Sequence, residues 1–304
     1  MRVQISLSTV CGAKCRFCLG TTLERLYGFR ENIHMDMDVF KKLMSYDIEE
    51  VVICSNRGEA LYHPDIDEIL KHIKDKGCQI SFLTNASLKP EKWWKELASI
   101  FDIKDKIIFP LDGLGNEMHK QHRGTDFYTV LRNMEAFVNA GGKATWSFIR
   151  FKHNEHVQEF VKQLALRLKM SVQFRNSHTY DDVLERPVSI KVWERSNIHN
   201  ESIEVEDQRQ MHCNFGLYYV SVKGYVFPCC FLANVFANEP YLEDYAKEHD
   251  KRLVRLFRME KEFLNLKNTD LHEILEKSKF FKECLKMKSF TCKDSCLKFF
   301  RNNK

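Results

Sequence analysis

The 304-residue chain is 44% apolar and 29% charged with a net charge of +5, an ordinary balance for a globular protein. Twelve glycines and six prolines exclude a collagen-like or linker-rich chain, and no apolar run approaches the roughly 18 residues that a membrane span needs. The opening stretch lacks the charged-then-apolar leader of a secreted protein, so a cytoplasmic protein without membrane contact is expected. Eleven cysteines, at 11, 15, 18, 54, 78, 213, 229, 230, 284, 292 and 296, then stand out. An odd count in a reducing compartment argues for metal ligation or catalysis rather than a disulfide framework.

In chain order, short apolar strands are expected at 3–7, 51–54, 80–84, 107–111, 145–151 and 171–174. Amphipathic helices are expected between them at 39–44, 66–76, 92–100, 128–140 and 157–169. In the fourth helix Val130, Leu131, Met134, Phe137 and Val138 share one face, and Gly141-Gly142 ends it. Residues 19–36 read as a long loop. Six β units separated by helices predict an α/β fold, a partial (β/α)6 TIM-like barrel over residues 1–178. Its chemistry is expected on loops at the C-terminal strand ends. Residues 179–210 read as a polar connector. Residues 217–222, Lys223-Gly224 and 225–227 read as a hairpin, and 241–264 as a charged, solvated helical insert. The span 211–304 is expected to be a small C-terminal α+β domain.

Cys11, Cys15 and Cys18 form C-x3-C-x2-C directly after the first strand. A structural zinc site wants four ligands, whereas three thiolates on a 4Fe–4S cube leave one iron open to a substrate. On these residues the chain resembles the radical S-adenosylmethionine (SAM) superfamily, whose C-x3-C-x2-C loop carries such a cluster. Phe17 stands where an aromatic residue packs near the adenine. Asn56-Arg57-Gly58-Glu59-Ala60 is similar to the Gly-Gly-Glu-Pro motif, which implies that Gly58 and Glu59 hold the SAM amino group. Arg57 and Ala60 depart from that pattern. Leu83-Thr84-Asn85-Ala86 resembles the Thr-Asn-Gly segment near the ribose. Pro110-Leu111-Asp112-Gly113 and His122-Arg123-Gly124 resemble a further pattern of the branch with C-terminal cluster domains, and Arg123 is the candidate for the SAM carboxylate. The resemblance implies an enzyme that cleaves SAM to a 5′-deoxyadenosyl radical, which abstracts hydrogen from a substrate. It also implies a flavodoxin- or ferredoxin-like electron donor.

Cys213-x10-Gly224-x4-Cys229, followed by Cys284-x7-Cys292-x3-Cys296, resembles the SPASM and twitch extensions of that superfamily. The twitch arrangement implies one auxiliary 4Fe–4S cluster on Cys213, Cys229, Cys292 and Cys296, with Cys284 as the substitute ligand. A zinc ribbon is the alternative use of these thiols. Cys230 adjoins a ligand and reads as a packed thiol or a hydrogen donor facing the barrel, while Cys54 and Cys78 read as core thiols. Residues 276–304 hold nine Lys or Arg against three Asp or Glu, with Phe280, Phe281, Phe290, Phe299 and Phe300 interleaved. The bland reading, phenylalanine core under a lysine rim, is preferred. A small-molecule or nucleotide-sized substrate is expected ahead of a peptide, and the auxiliary cluster is expected either to take an electron from the substrate radical, for a net two-electron oxidation, or to ligate or position the substrate. The alternatives are a peptide-modifying maturase and a non-enzymatic iron–sulfur or zinc protein that binds nucleic acid.

Overall fold

The computed structural model describes residues 1–28, 30–177, 179–189, 216–237, 239–248 and 250–286. The expectations for Cys213, Cys292 and Cys296 and for most of the connector lie outside these residues. Six strands, β1 (Arg2–Ile5), β2 (Glu50–Ile53), β3 (Gln79–Leu83), β4 (Lys106–Pro110), β5 (Ala144–Arg150) and β6 (Ser171–Asn176), stand parallel in sequence order. Between them run α1 (Leu19–Tyr27), α2 (Met37–Leu43), α3 (Ile66–Asp75), α4 (Glu91–Ile100), α5 (Asn116–His122), α6 (Phe127–Asn139) and α7 (Gln158–Arg167). Each expected strand and helix of this region is present within two residues of its expected ends.

The period-2 pattern explains the layering. Val3, Ile5, Val51, Ile53, Ile80, Phe82, Ile107, Phe109, Trp146 and Phe148 are fully buried beneath the helices, while the alternate residues line the other face. That second face is mixed, with Gln4, Ser81 and Ser147 beside Val52, Ile108 and Ile149. Trp94 of α4 packs on Phe109 at 5.5 Å, and Phe109 on Phe137 of α6 at 6.0 Å. Gly141 ends α6 at φ 95°, a left-handed position that favours glycine. There the Gly141 and Gly142 N–H groups donate to the carbonyls of Val138 and Phe137.

Three expectations need correction. Residues 19–36 are not all loop, because α1 occupies their first half; it buries only Gly20 and Leu23, too little apolar surface to show as a period. Helix α5 was not expected, because the side chains it buries are His119 and His122, which are held by hydrogen bonds rather than by a hydrophobic stripe. The span 241–264 is not a solvated insert. It forms α9 (Glu239–Glu248) and α10 (Lys251–Glu260), after α8 (Cys230–Phe236) and before α11 (Leu271–Lys277) and α12 (Lys279–Leu285). Leu242, Leu253, Val254 and Phe257 are buried, an amphipathic stripe hidden within a charged composition. Phe257 packs on Phe236 at 5.2 Å and on Phe280 at 5.5 Å, so Phe280 belongs to the core as the bland reading holds.

The hairpin forms as expected, with β7 (Leu217–Val220) antiparallel to β8 (Val226–Phe227). Strand β7 also pairs in parallel with β1, so the hairpin extends the barrel sheet to eight strands. Among the described residues no helix is long and apolar enough to cross a membrane.

Candidate functional site

The loop after β1 brings Cys11, Cys15 and Cys18 to the C-terminal end of the sheet. Cys18 opens α1 at its N-cap, and its N–H donates to the Cys15 carbonyl at 3.2 Å. The Asn85 side-chain amide donates to Cys11 Sγ at 3.6 Å, and the Gly124 N–H to Cys15 Sγ at 3.3 Å. Burial pushes the Cys11 thiol up to about 11 and raises that of Cys15, and the sulfurs' mutual repulsion adds to both shifts. Bound cations reverse such shifts. Among the described residues no three Cys, His, Asp or Glu side chains already converge as a metal-holding group.

The chemistry nevertheless fits an iron–sulfur cluster: three thiols on one loop, N–H donors on two of their sulfurs, and a buried cation beneath. That cation is Arg30, whose side chain is 9% exposed. Its Nη1 donates to the Cys11 carbonyl at 2.8 Å, its Nε lies 3.9 Å from the Glu24 carboxylate, and neither Nε nor Nη2 makes a hydrogen bond to the protein. Packing, rather than a motif, sets Arg30 of the 19–36 segment against Cys11.

Glu59 follows β2 and is buried. Its Oε1 accepts from Thr84 Oγ1 at 2.7 Å and from the Leu61 N–H at 3.3 Å, and its Oε2 accepts from the Asn85 N–H at 2.6 Å. Burial raises its carboxyl above the usual range against the pull of these bonds, and among the described residues no ion pair holds it. Thr84 and Asn85, at the end of β3, thus brace the carboxylate, and Asn85 also reaches Cys11. A Cβ on Gly58 would lie 2.1 Å from the Ser8 carbonyl oxygen and 2.6 Å from Thr9 Cα, both backbone atoms that cannot swing aside. Gly58→Ala is therefore expected to cost about 1–3 kcal/mol and to weaken ligand binding at Glu59, as read by thermal unfolding and titration. Arg57, beside it, turns toward Glu31 at 3.9 Å, and Lys223 of the hairpin completes that cluster at 2.6 Å.

Asp112, after β4, is fully buried and organises the opposite wall. Its Oδ2 accepts from Arg123 Nε at 2.6 Å and from His122 Nδ1 at 2.7 Å, and its Oδ1 accepts from the Ile149 N–H at 2.7 Å. Burial opposes the Asp112 charge, but Arg123, His122 and the Ile149 N–H together hold its carboxyl far below the usual range. Burial lowers His119 to about 4. The neutral His119 ring accepts the Asp112 N–H at Nδ1, so Nε2 carries its proton and donates to Thr125 Oγ1. The Arg123 charge also acts on Cys15 and Cys18. The Phe17 ring lies 6.1 Å from His122 and 6.4 Å from Phe151, beside a cleft lined by Lys14, Arg16, Arg25 and Lys120.

In the C-terminal region Cys229 caps α8 and Cys284 lies on α12, both buried, whereas Cys230 is partly exposed. Asn56 joins the Glu59 loop to this region. Its amide donates to the Cys230 carbonyl at 3.0 Å and to Asn234 Oδ1 at 2.7 Å.

The profile of the radical SAM superfamily matches residues 5–166, more than half of the chain. The chain belongs to the radical SAM superfamily. A second profile, the SPASM iron–sulfur cluster-binding domain, matches residues 213–298. The protein is thus a radical SAM enzyme of the SPASM branch, whose cofactors are a 4Fe–4S cluster, SAM and auxiliary iron–sulfur, and the non-enzymatic alternative is set aside.

Among solved structures, Streptococcus suis SuiB bound to S-adenosylmethionine is 14% identical over 98% of this chain and 71% of that one, with a TM-score of 0.62. SuiB bound to its precursor peptide SuiA is 14% identical over 96% and 70%, at 0.63. A further SuiB structure is 14% identical over 77% of this chain, which spans 61% of that chain's length, at 0.55. At this identity the likeness is one of fold. No curated protein matches the chain.

Proposed function

We propose that Cys11, Cys15 and Cys18 hold the SAM-binding cluster and that Glu59 receives the SAM ammonium. The observation that carries this reading is a buried, hydrogen-bonded carboxylate with no cation of its own, joined through Asn85 to the first cysteine. When bound, the cluster and SAM supply a reducing electron and a carbon radical able to abstract hydrogen. The protein's own residues bind and orient. Glu59 fixes the ammonium, with Gly58 allowing its loop to lie against β1 and Thr84 and Asn85 holding it in place. Arg123, clamped by Asp112, offers its remaining N–H groups to the carboxylate. Phe17 supplies an apolar face for the adenine.

In this reading residues 1–178 handle SAM, 179–210 connect, and 211–304 hold one auxiliary 4Fe–4S cluster. Its ligands are Cys213, Cys229, Cys292 and Cys296, with Cys284 as substitute, and Cys230 is a packed thiol or a hydrogen donor facing the barrel. A flavodoxin- or ferredoxin-like donor supplies the electron. The substrate is a small molecule or a nucleotide-sized group, oxidised by two electrons. A peptide substrate is the second reading, favoured by the fold shared with SuiB, which is seen bound to its precursor peptide.

The test is 5′-deoxyadenosine formation by anaerobically reconstituted protein with dithionite and SAM. Wild type yields it and Cys15→Ala, reconstituted identically, does not. Equal yields from the two would remove Cys15 from the site.

A further inference from the structure

The face of the sheet turned away from the helices carries a cation that no described residue neutralises. Strand β6 places Arg175 in register with Ile149 of β5, on the face opposite Phe174, which packs against the buried Phe148 at 5.5 Å. Arg175 is partly buried. Its Nε and Nη2 both donate to Gln173 Oε1, at 3.1 and 2.7 Å, which holds the fork in one orientation. Among the described residues it forms no ion pair. The ionisable groups that act on it are Cys54 and Arg123. Cys54, just past β2, is neutral at physiological pH because burial pushes its thiol up to about 11. Arg123 is a second cation, and its nearest carboxylate, Asp112, is also shared with His122. Desolvating a cation without a counter-ion is costly. A guanidinium held in this way presents parallel N–H donors suited to a carboxylate or phosphate.

We propose that Arg175 anchors an anionic group of the substrate, a carboxylate or a phosphate, on the inner wall of the barrel. The inference rests on the SAM-site reading above, because Glu59 and Arg123 are taken there to be occupied by SAM. It narrows the substrate to molecules that carry an acid group within reach of the radical's position. It applies to a phosphorylated metabolite and to a peptide carboxylate alike, and the two sources separate by experiment.

The reconstituted protein, with and without SAM, is titrated calorimetrically at low ionic strength with inorganic phosphate and separately with acetate. Saturable binding of one anion is expected; phosphate marks a phosphorylated substrate and acetate a carboxylate. Arg175→Gln should weaken that binding at least about 10-fold while leaving SAM affinity within about twofold. Arg175→Lys keeps the charge and should stay within about fivefold of wild type, which separates loss of charge from loss of fold. The proposal is overturned if neither anion saturates, or if Arg175→Gln binds as wild type does. It is also overturned if SAM affinity falls in parallel, since Arg175 would then belong to the SAM site. Failure of the SAM-site reading is distinct: the wild-type protein itself would not bind SAM.

Discussion

Glu59→Gln is expected to lower the affinity for SAM about 30-fold or more, the equivalent of about 2 kcal/mol. The loss has two sources. The amide no longer carries the charge that meets an ammonium. It also brings N–H donors to a pocket built from donors, where Thr84 Oγ1 and the N–H groups of Leu61 and Asn85 all point at the carboxylate. Calorimetric titration with SAM measures the first effect and thermal unfolding the second. The native carboxyl, raised by burial, regains its ionised form when a cation arrives. SAM affinity should therefore climb with pH through the raised value and level off above it. Unchanged affinity in Glu59→Gln would place the ammonium elsewhere.

Asp112→Asn is expected to destabilise the fold by about 3 kcal/mol, because it leaves the partly buried Arg123 guanidinium without its counter-ion. The melting temperature should fall by on the order of 10 °C. The pH dependence follows from the depressed carboxyl of Asp112. Its stabilising contribution is fully present above the unfolded-state value of about 3.9 and fades as pH falls below it. Wild type should therefore lose stability steadily on acidification below about pH 4, and Asp112→Asn should lose less over the same range. Equal acid sensitivity in the two proteins would assign that behaviour to other carboxylates.

The barrel was legible because its strands are short apolar runs separated by helices with broad apolar faces, as Val51-Val52-Ile53 and Val130/Met134/Phe137 show. Helices α1 and α5 were not, because α1 buries a glycine and a single leucine, and α5 buries histidines whose value lies in hydrogen bonds. The same holds at the site. Cysteine spacing, the Glu59 motif and the segments around Asp112 and Arg123 stand out as strings, whereas the hydrogen bonds that tie Asp112 to His122 and Arg123, ten and eleven positions away, do not. Arg175 is more hidden still: its importance depends on what lies next to it in space, and in the sequence it is one arginine among many. The parallel pairing of β7 with β1 joins residues more than 200 positions apart, a contact that no local pattern encodes.

The measurement that tests the SAM-site reading most directly is the EPR spectrum of dithionite-reduced, reconstituted protein with and without SAM. Wild type should show a cluster signal that changes shape when SAM is added. Cys15→Ala should lack that signal and retain the one from the auxiliary cluster. A SAM-responsive signal that persists in Cys15→Ala, or a fully loaded wild-type protein whose spectrum ignores SAM, would contradict the assignment of Cys11, Cys15 and Cys18 to the SAM-binding cluster.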